Sequence, residues 1–137
     1  MNNTAILLMN YIYNPDGFDW MNFQVSKSNP YTYHHIVEKR NGGKKTIENG
    51  AILTRDAHDL LNTFERYCPD EYDELQEVFK RINASGEPPT PEIMMEIDLI
   101  IYKGLFTNQS DYIKRKTLYK YRMEYLKSRK LLRKTLQ

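Results

Sequence analysis

The sequence predicts an α+β fold: a strand, loop, strand, helix unit over residues 31–65, flanked by helices that lie mainly C-terminal to it. Three observations carry this expectation. Two short runs rich in β-branched and aromatic residues bracket a loop with paired glycines, a helical apolar spacing begins directly after the second run, and helix start and stop signals alternate from Cys68 onward. At 137 residues the chain is expected to be a single domain, residues 1–137.

Residues 1–31 combine the apolar opening AILLM and YIY with the turn formers NPDGFDW and SKSNP, and they show no clean helical or alternating period. Phe18, Trp20 and the MNFQ segment read as packing beneath the first strand. From Tyr31, YTYHHIV predicts a strand, and RNGGKK then supplies glycines for a reversing loop. GAILT, after Asn49, predicts the second strand. Thr54 is placed to cap a helix with Asp56 in its first turn and Ala57, Leu60, Leu61 and Phe64 at helical spacing.

Beyond Cys68, PDEYDELQEVFKRIN opens on proline and acids and puts Tyr72, Leu75, Val78, Phe79 and Ile82 on one face. The break ASGEPPTP follows. Thr90 and Pro91 then open EIMMEIDLIIYK, which is expected to stop at Gly104, so residues 69–104 form two bracing helices. A last helix is expected from about Ser110, over residues 110–137.

The net charge of +2 hides an asymmetry. Residues 110–137 carry ten basic and two acidic side chains, so the rest of the chain is net acidic. A single cysteine, Cys68, rules out an internal disulfide and a cysteine-paired zinc knuckle, which fits a reducing compartment. The first lysine is Lys27, so the basic start of a signal peptide is missing, and no stretch reaches the roughly 20 apolar residues of a membrane span. The expectation is a soluble, cytoplasmic protein with no membrane partner.

All three histidines, His34, His35 and His58, fall within the unit of residues 31–65. Under the plainest reading the first two are ordinary strand residues and the third is a polar helix residue. A strand, loop, strand, helix unit nevertheless folds the first helical turn back beside the start of the first strand. One of His34 and His35 is then free to bind a metal with His58. Neighbouring strand side chains point to opposite faces, so the other suits proton transfer instead, with an unperturbed pKa near 6.5.

The set His-His-Ile, a Gly-Gly loop, Asn-Gly before an apolar strand, then Leu-Thr-Arg and a histidine nine residues after the asparagine resembles the HNH endonucleases. These are the ββα-metal, or His-Me finger, nucleases. The resemblance covers residues 31–65 and is that of a small, free-standing, phage-type member. It implies that His34 and His58 are metal ligands, that His35 is the general base, and that Asn49 ties the loop to the strand and orients that base. Glu38 stands where the family often has proline, and the cysteine pairs of many members are absent, so flanking helices must brace the unit. The implied cofactor is one divalent metal ion, Mg, Mn, Ni or Zn. Two neutral nitrogen ligands suit the borderline metals better than hard Mg.

The implied substrate is DNA in a bacterial or phage-infected cell. Lys39, Arg40, Lys44, Lys45 and Arg55 form a first basic cluster for the sugar-phosphate backbone. Lys127, Arg129, Lys130 and Arg133 form a second, on a helix whose Leu118, Tyr121, Tyr125, Leu132 and Leu136 follow a docking face. Those cations either touch phosphate or merely solvate the outer surface. Glu38, Glu48 and Asp56 lie near enough in sequence to add a carboxylate ligand. A cut through both strands by a one-site enzyme would call for a homodimer. The competing expectations are a DNA-binding protein that keeps the fold without catalysis, and a metal-dependent RNase or toxin.

Overall fold

In the computed structural model, residues 4–107 and 111–136 are described, the side chains of residues 129–136 excepted. The chain is mixed α+β. The order is α1 (Thr4–Tyr13), β1 (Tyr31–His35), β2 (Gly50–Thr54), α2 (Arg55–Tyr67), α3 (Pro69–Ser85), α4 (Pro91–Phe106) and α5 (Tyr112–Leu136), with single 3-10 turns at Lys39–Asn41 and Ile47–Asn49. The two strands pair antiparallel, Tyr31 opposite Thr54 and His35 opposite Gly50.

Helices α2, α3 and α4 begin where the sequence says they should; the expected start of the last helix, Ser110, lies outside the described residues, and α5 is described from Tyr112. Thr54 accepts the Ala57 N–H (3.3 Å), Pro69 opens α3, and Thr90 accepts the Ile93 N–H (3.2 Å) before Pro91. The side chain of Asp111 likewise accepts the Lys114 N–H at the start of α5. The apolar faces turn inward as expected: Ala57, Leu60, Leu61 and Phe64 of α2 share one core with Leu75, Val78, Phe79 and Ile82 of α3 and with Ala51, Ile52 and Leu53 of β2, a strand buried along its whole length. A strand buried on both faces cannot stand alone, so α1 covers one side of the sheet while α2 and α3 cover the other. Ion pairs Arg81–Glu96 and Lys103–Glu74 (2.6 Å) cross from α3 to α4 on the surface, where such pairs add little.

Two expectations need correcting. The apolar opening is a helix, α1, although its sequence shows no polar face: Ile6, Met9 and Tyr13 are buried while Leu7, Leu8, Tyr11 and Ile12 on its other side are equally apolar and exposed. Gly104 does not end α4, which continues to Phe106. A Cβ there would stand 2.5 Å from Cζ of Phe64, so this glycine allows α4 to approach α2 rather than to stop.

The loop before β1 is tied to the sheet by Asp19. Its carboxylate accepts the N–H groups of Met21 (2.8 Å), Phe23 (2.9 Å) and Thr54 (2.7 Å). Burial pushes this carboxyl up to about 6, against the opposite pull of those backbone donors. Trp20 is buried, but beside β2 rather than beneath β1: its backbone N–H donates to the Ile52 carbonyl (2.9 Å) and its ring packs between Tyr13 and Phe79, whereas Phe18 is almost half exposed. Among the described residues, no helix is long and apolar enough to cross a membrane.

Candidate metal and catalytic site

Strand alternation sends His34 and His35 to opposite sides of the sheet. His34 joins Thr32 on the side covered by α2 and α3, and is buried. His35 lies with Tyr33 on the other side, ring centroids 4.9 Å apart, and is half-buried.

His58, at the end of the first turn of α2, reaches back to His34. Its Nε2 stands 3.3 Å from Nδ1 of His34, with the rings nearly perpendicular. The outer nitrogens are both held. Nδ1 of His58 lies 3.2 Å from the Thr32 hydroxyl, which donates to the Leu53 carbonyl (2.8 Å). Nε2 of His34 lies 2.7 Å from Oε1 of Gln76, whose Nε2 donates to the Ile36 carbonyl (2.7 Å).

Burial pushes the His34 pKa down to about 4, although the Gln76 bond pulls the other way. His58 is lowered by burial, opposed by Asp59, and lowered again by His35. Both facing imidazoles are therefore kept neutral. This donor set fits a divalent ion, because two nitrogens at the usual 2.0–2.1 Å from a tetrahedral ion stand about 3.3–3.4 Å apart. Among the described residues no group of three or more His, Cys, Asp or Glu converges, so Glu38, Glu48 and Asp56 do not complete a cage. Glu38 is engaged elsewhere, accepting from the Tyr72 hydroxyl (3.0 Å) and pairing with Arg40.

His35 is lowered by burial first and then by the cations of Lys45 and Lys39. Asn49 fastens the backbone just beyond His35 rather than the ring itself. The Asn49 side chain accepts the Val37 N–H (2.7 Å) and donates to the carbonyls of Val37 (2.9 Å) and Lys44 (3.0 Å), while its own carbonyl accepts the Ile36 N–H (2.9 Å). Gly43 is required inside this clamp, since a Cβ would collide with the Val37 carbonyl oxygen at 1.7 Å.

The cations of the first basic cluster are unevenly engaged. Lys39, Lys44 and Lys45 are exposed on the loop, with Lys45 over the Tyr33 ring (5.6 Å). Arg40 is exposed but pairs with Glu38 and Glu65, and Arg55 donates to the Ser28 carbonyl (2.6 Å). On α5, Leu118 is buried and Tyr121 and Tyr125 pack on the core, so the helix docks through this face. Lys127 is exposed; the side chains of Arg129, Lys130, Leu132, Arg133 and Leu136 lie outside the described residues.

Gln76 and Thr32 are not marked as site residues by the sequence pattern, yet both leave a trace in it. Gln76 is four residues after Tyr72 and three before Phe79, a polar side chain inside the apolar stripe of α3. Thr32 is two before His34 and so shares its face. Compared with known proteins, the chain matches no family model, no curated protein and no solved structure.

Proposed function

We propose that the chain is a metal-dependent endonuclease of the HNH, ββα-metal type, hydrolysing phosphodiester bonds in DNA. The observation that carries this reading is the 3.3 Å approach of His34 Nδ1 and His58 Nε2 within a strand, loop, strand, helix unit. His34 and His58 would hold the divalent ion, Zn, Ni or Mn more readily than Mg. Such an ion, when bound, supplies Lewis-acid stabilisation of the charge that builds on the phosphate.

The remaining chemistry belongs to the chain. His35, held neutral beside Lys39 and Lys45, accepts a proton from the attacking water. The water oxygen bonds to phosphorus, the bond from phosphorus to the 3′ oxygen breaks, the leaving 3′ oxygen takes a proton from solvent water, and His35 returns its proton to solvent. Products would carry 5′-phosphate and 3′-hydroxyl ends. Lys39, Lys44 and Lys45 provide charge for the backbone, and Asn49 keeps the segment after His35 from shifting.

The test is nicking of supercoiled plasmid with Mg, Mn, Ni or Zn, repeated with His35→Ala and with RNA as substrate. Metal-dependent DNA nicking that vanishes in His35→Ala is the expected result. DNA binding without cleavage under any metal would point instead to a binding protein that has lost catalysis, and cleavage of RNA alone to an RNase. Cleavage of both strands would raise the question of a homodimer, answered by sedimentation with and without DNA.

A further inference from the structure

Two backbone carbonyls fix the proton positions on both facing histidines. A carbonyl oxygen only accepts. The Ile36 carbonyl therefore requires the NH2 of Gln76 on its side, which turns Gln76 Oε1 toward His34 at 2.7 Å. An amide oxygen also only accepts, so His34 Nε2 must carry the proton, and Nδ1 is left with its lone pair. The Leu53 carbonyl acts on His58 in the same way. It takes the Thr32 hydroxyl proton at 2.8 Å, so the Thr32 oxygen presents a lone pair to His58 Nδ1, which must carry the proton. His58 Nε2 is then unprotonated as well.

The two nitrogens that face each other at 3.3 Å are thus both acceptors. In these tautomers no hydrogen bond joins them, and their lone pairs repel unless a cation or a hydrogen-bond donor lies between or beside them.

We propose that Gln76 and Thr32 are positioning residues that lock His34 and His58 into opposite tautomers, so that two lone pairs converge on one cation-binding gap. Gln76 lies on α3, outside the strand, loop, strand, helix unit, so a bracing helix sets the chemistry of the site as well as supporting it. That a cation occupies the gap rests on the metal-binding reading; the tautomer lock does not. The tautomers belong to the metal-free protein.

The experiment is two-dimensional nitrogen-proton correlation of the imidazoles in 15N-labelled, metal-free protein at neutral pH, followed by zinc titration by calorimetry. Expected spectra place the proton on Nε2 of His34 and on Nδ1 of His58. Gln76→Leu removes the acceptor: His34 is expected to populate both tautomers, and zinc affinity to fall about 10- to 100-fold. Thr32→Val should have the corresponding effect on His58.

The opposite tautomer for either histidine in the wild type overturns the proposal, as does a Gln76→Leu variant that keeps both its tautomer and its zinc affinity. If Gln76→Leu does not fold, the wild-type spectrum still decides. Correct tautomers in a protein that does not take up zinc would sink the metal-binding reading and leave the lock standing.

Discussion

Adjacent strand residues face opposite sides of a sheet, and this separates His34 from His35 more than any difference in their chemistry. One is enclosed by α2 and α3 and meets His58; the other stays half-open beside two lysines. Removing them should accordingly have different consequences. His58→Ala is expected to weaken both metal uptake and cleavage, because it deletes one of two converging nitrogens. His35→Ala is expected to abolish cleavage while metal binding by calorimetry stays within a few fold. Residual wild-type cleavage in His35→Ala would remove it from the role of base. Asn49 makes a third kind of contribution, through backbone alone. Its side chain closes three hydrogen bonds across the loop, so Asn49→Ala should cost about 1–3 kcal/mol and speed amide exchange at Val37. Unchanged exchange at Val37 would show that the loop is held by something else.

At the scale of elements, local signals are clear where one face of a helix differs from the other. In α2 and α3 the apolar spacing, the cap and the proline all agree, and the structure begins and buries them accordingly. In α1 nothing distinguishes the faces, because exposed Leu7 and Tyr11 are as apolar as buried Ile6 and Met9; only packing on β2 selects between them. Gly104 misleads for a related reason. A glycine near a helix end carries the same letter whether it stops the chain or admits a neighbouring ring, and here that ring is Phe64. Gly104→Ala is therefore expected to destabilise the fold by about 1–3 kcal/mol through overpacking, read from chemical denaturation. A neutral or stabilising result would mean that α4 can shift away from α2 freely. The histidine pair is legible in the sequence as a neighbourhood, since the order of elements alone folds α2 beside β1. Its partners are not, because Gln76 is contributed by a helix and stands 42 residues from His34 in sequence. Asp19 is another side chain whose role depends on contacts between elements. It joins the loop of residues 18–24 to the junction of β2 and α2 by accepting three buried or half-buried N–H groups, one of them from the residue that caps α2. Asp19→Ala would leave those donors without a partner. Thermal denaturation should register a loss of at least about 1–3 kcal/mol, and the first turn of α2 should exchange faster. A melting temperature equal to that of the wild type would mean that water replaces the carboxylate at no cost.

Charge is the property that belongs to the whole molecule, and its distribution on the surface differs from its distribution in the sequence. The C-terminal segment has ten basic residues, but Lys114 and Arg122 are buried, and Arg122 donates to the carbonyls of Leu105 and Arg115. Arg122 thereby serves the docking of α5 at the end of α4, where a helix C-terminus favours positive charge, while Lys114 lies beside Cys68 and Glu71 at the start of α3. Near the histidines, Arg40 and Arg55 are likewise engaged internally. Any hold on the sugar-phosphate backbone then falls to Lys39, Lys44 and Lys45 on the loop and to the outer face of α5. Neutralising Lys127, Arg129, Lys130 and Arg133 together separates the two. If the helix touches DNA, the slope of log affinity against log salt should flatten by about one unit for each phosphate that the variant no longer neutralises. If those side chains only solvate the helix, the slope keeps its value, and the same experiment on Lys39, Lys44 and Lys45 should carry the whole effect. An unchanged slope in both variants would remove the backbone-binding role from both surfaces, and with it the electrostatic support for DNA as the substrate.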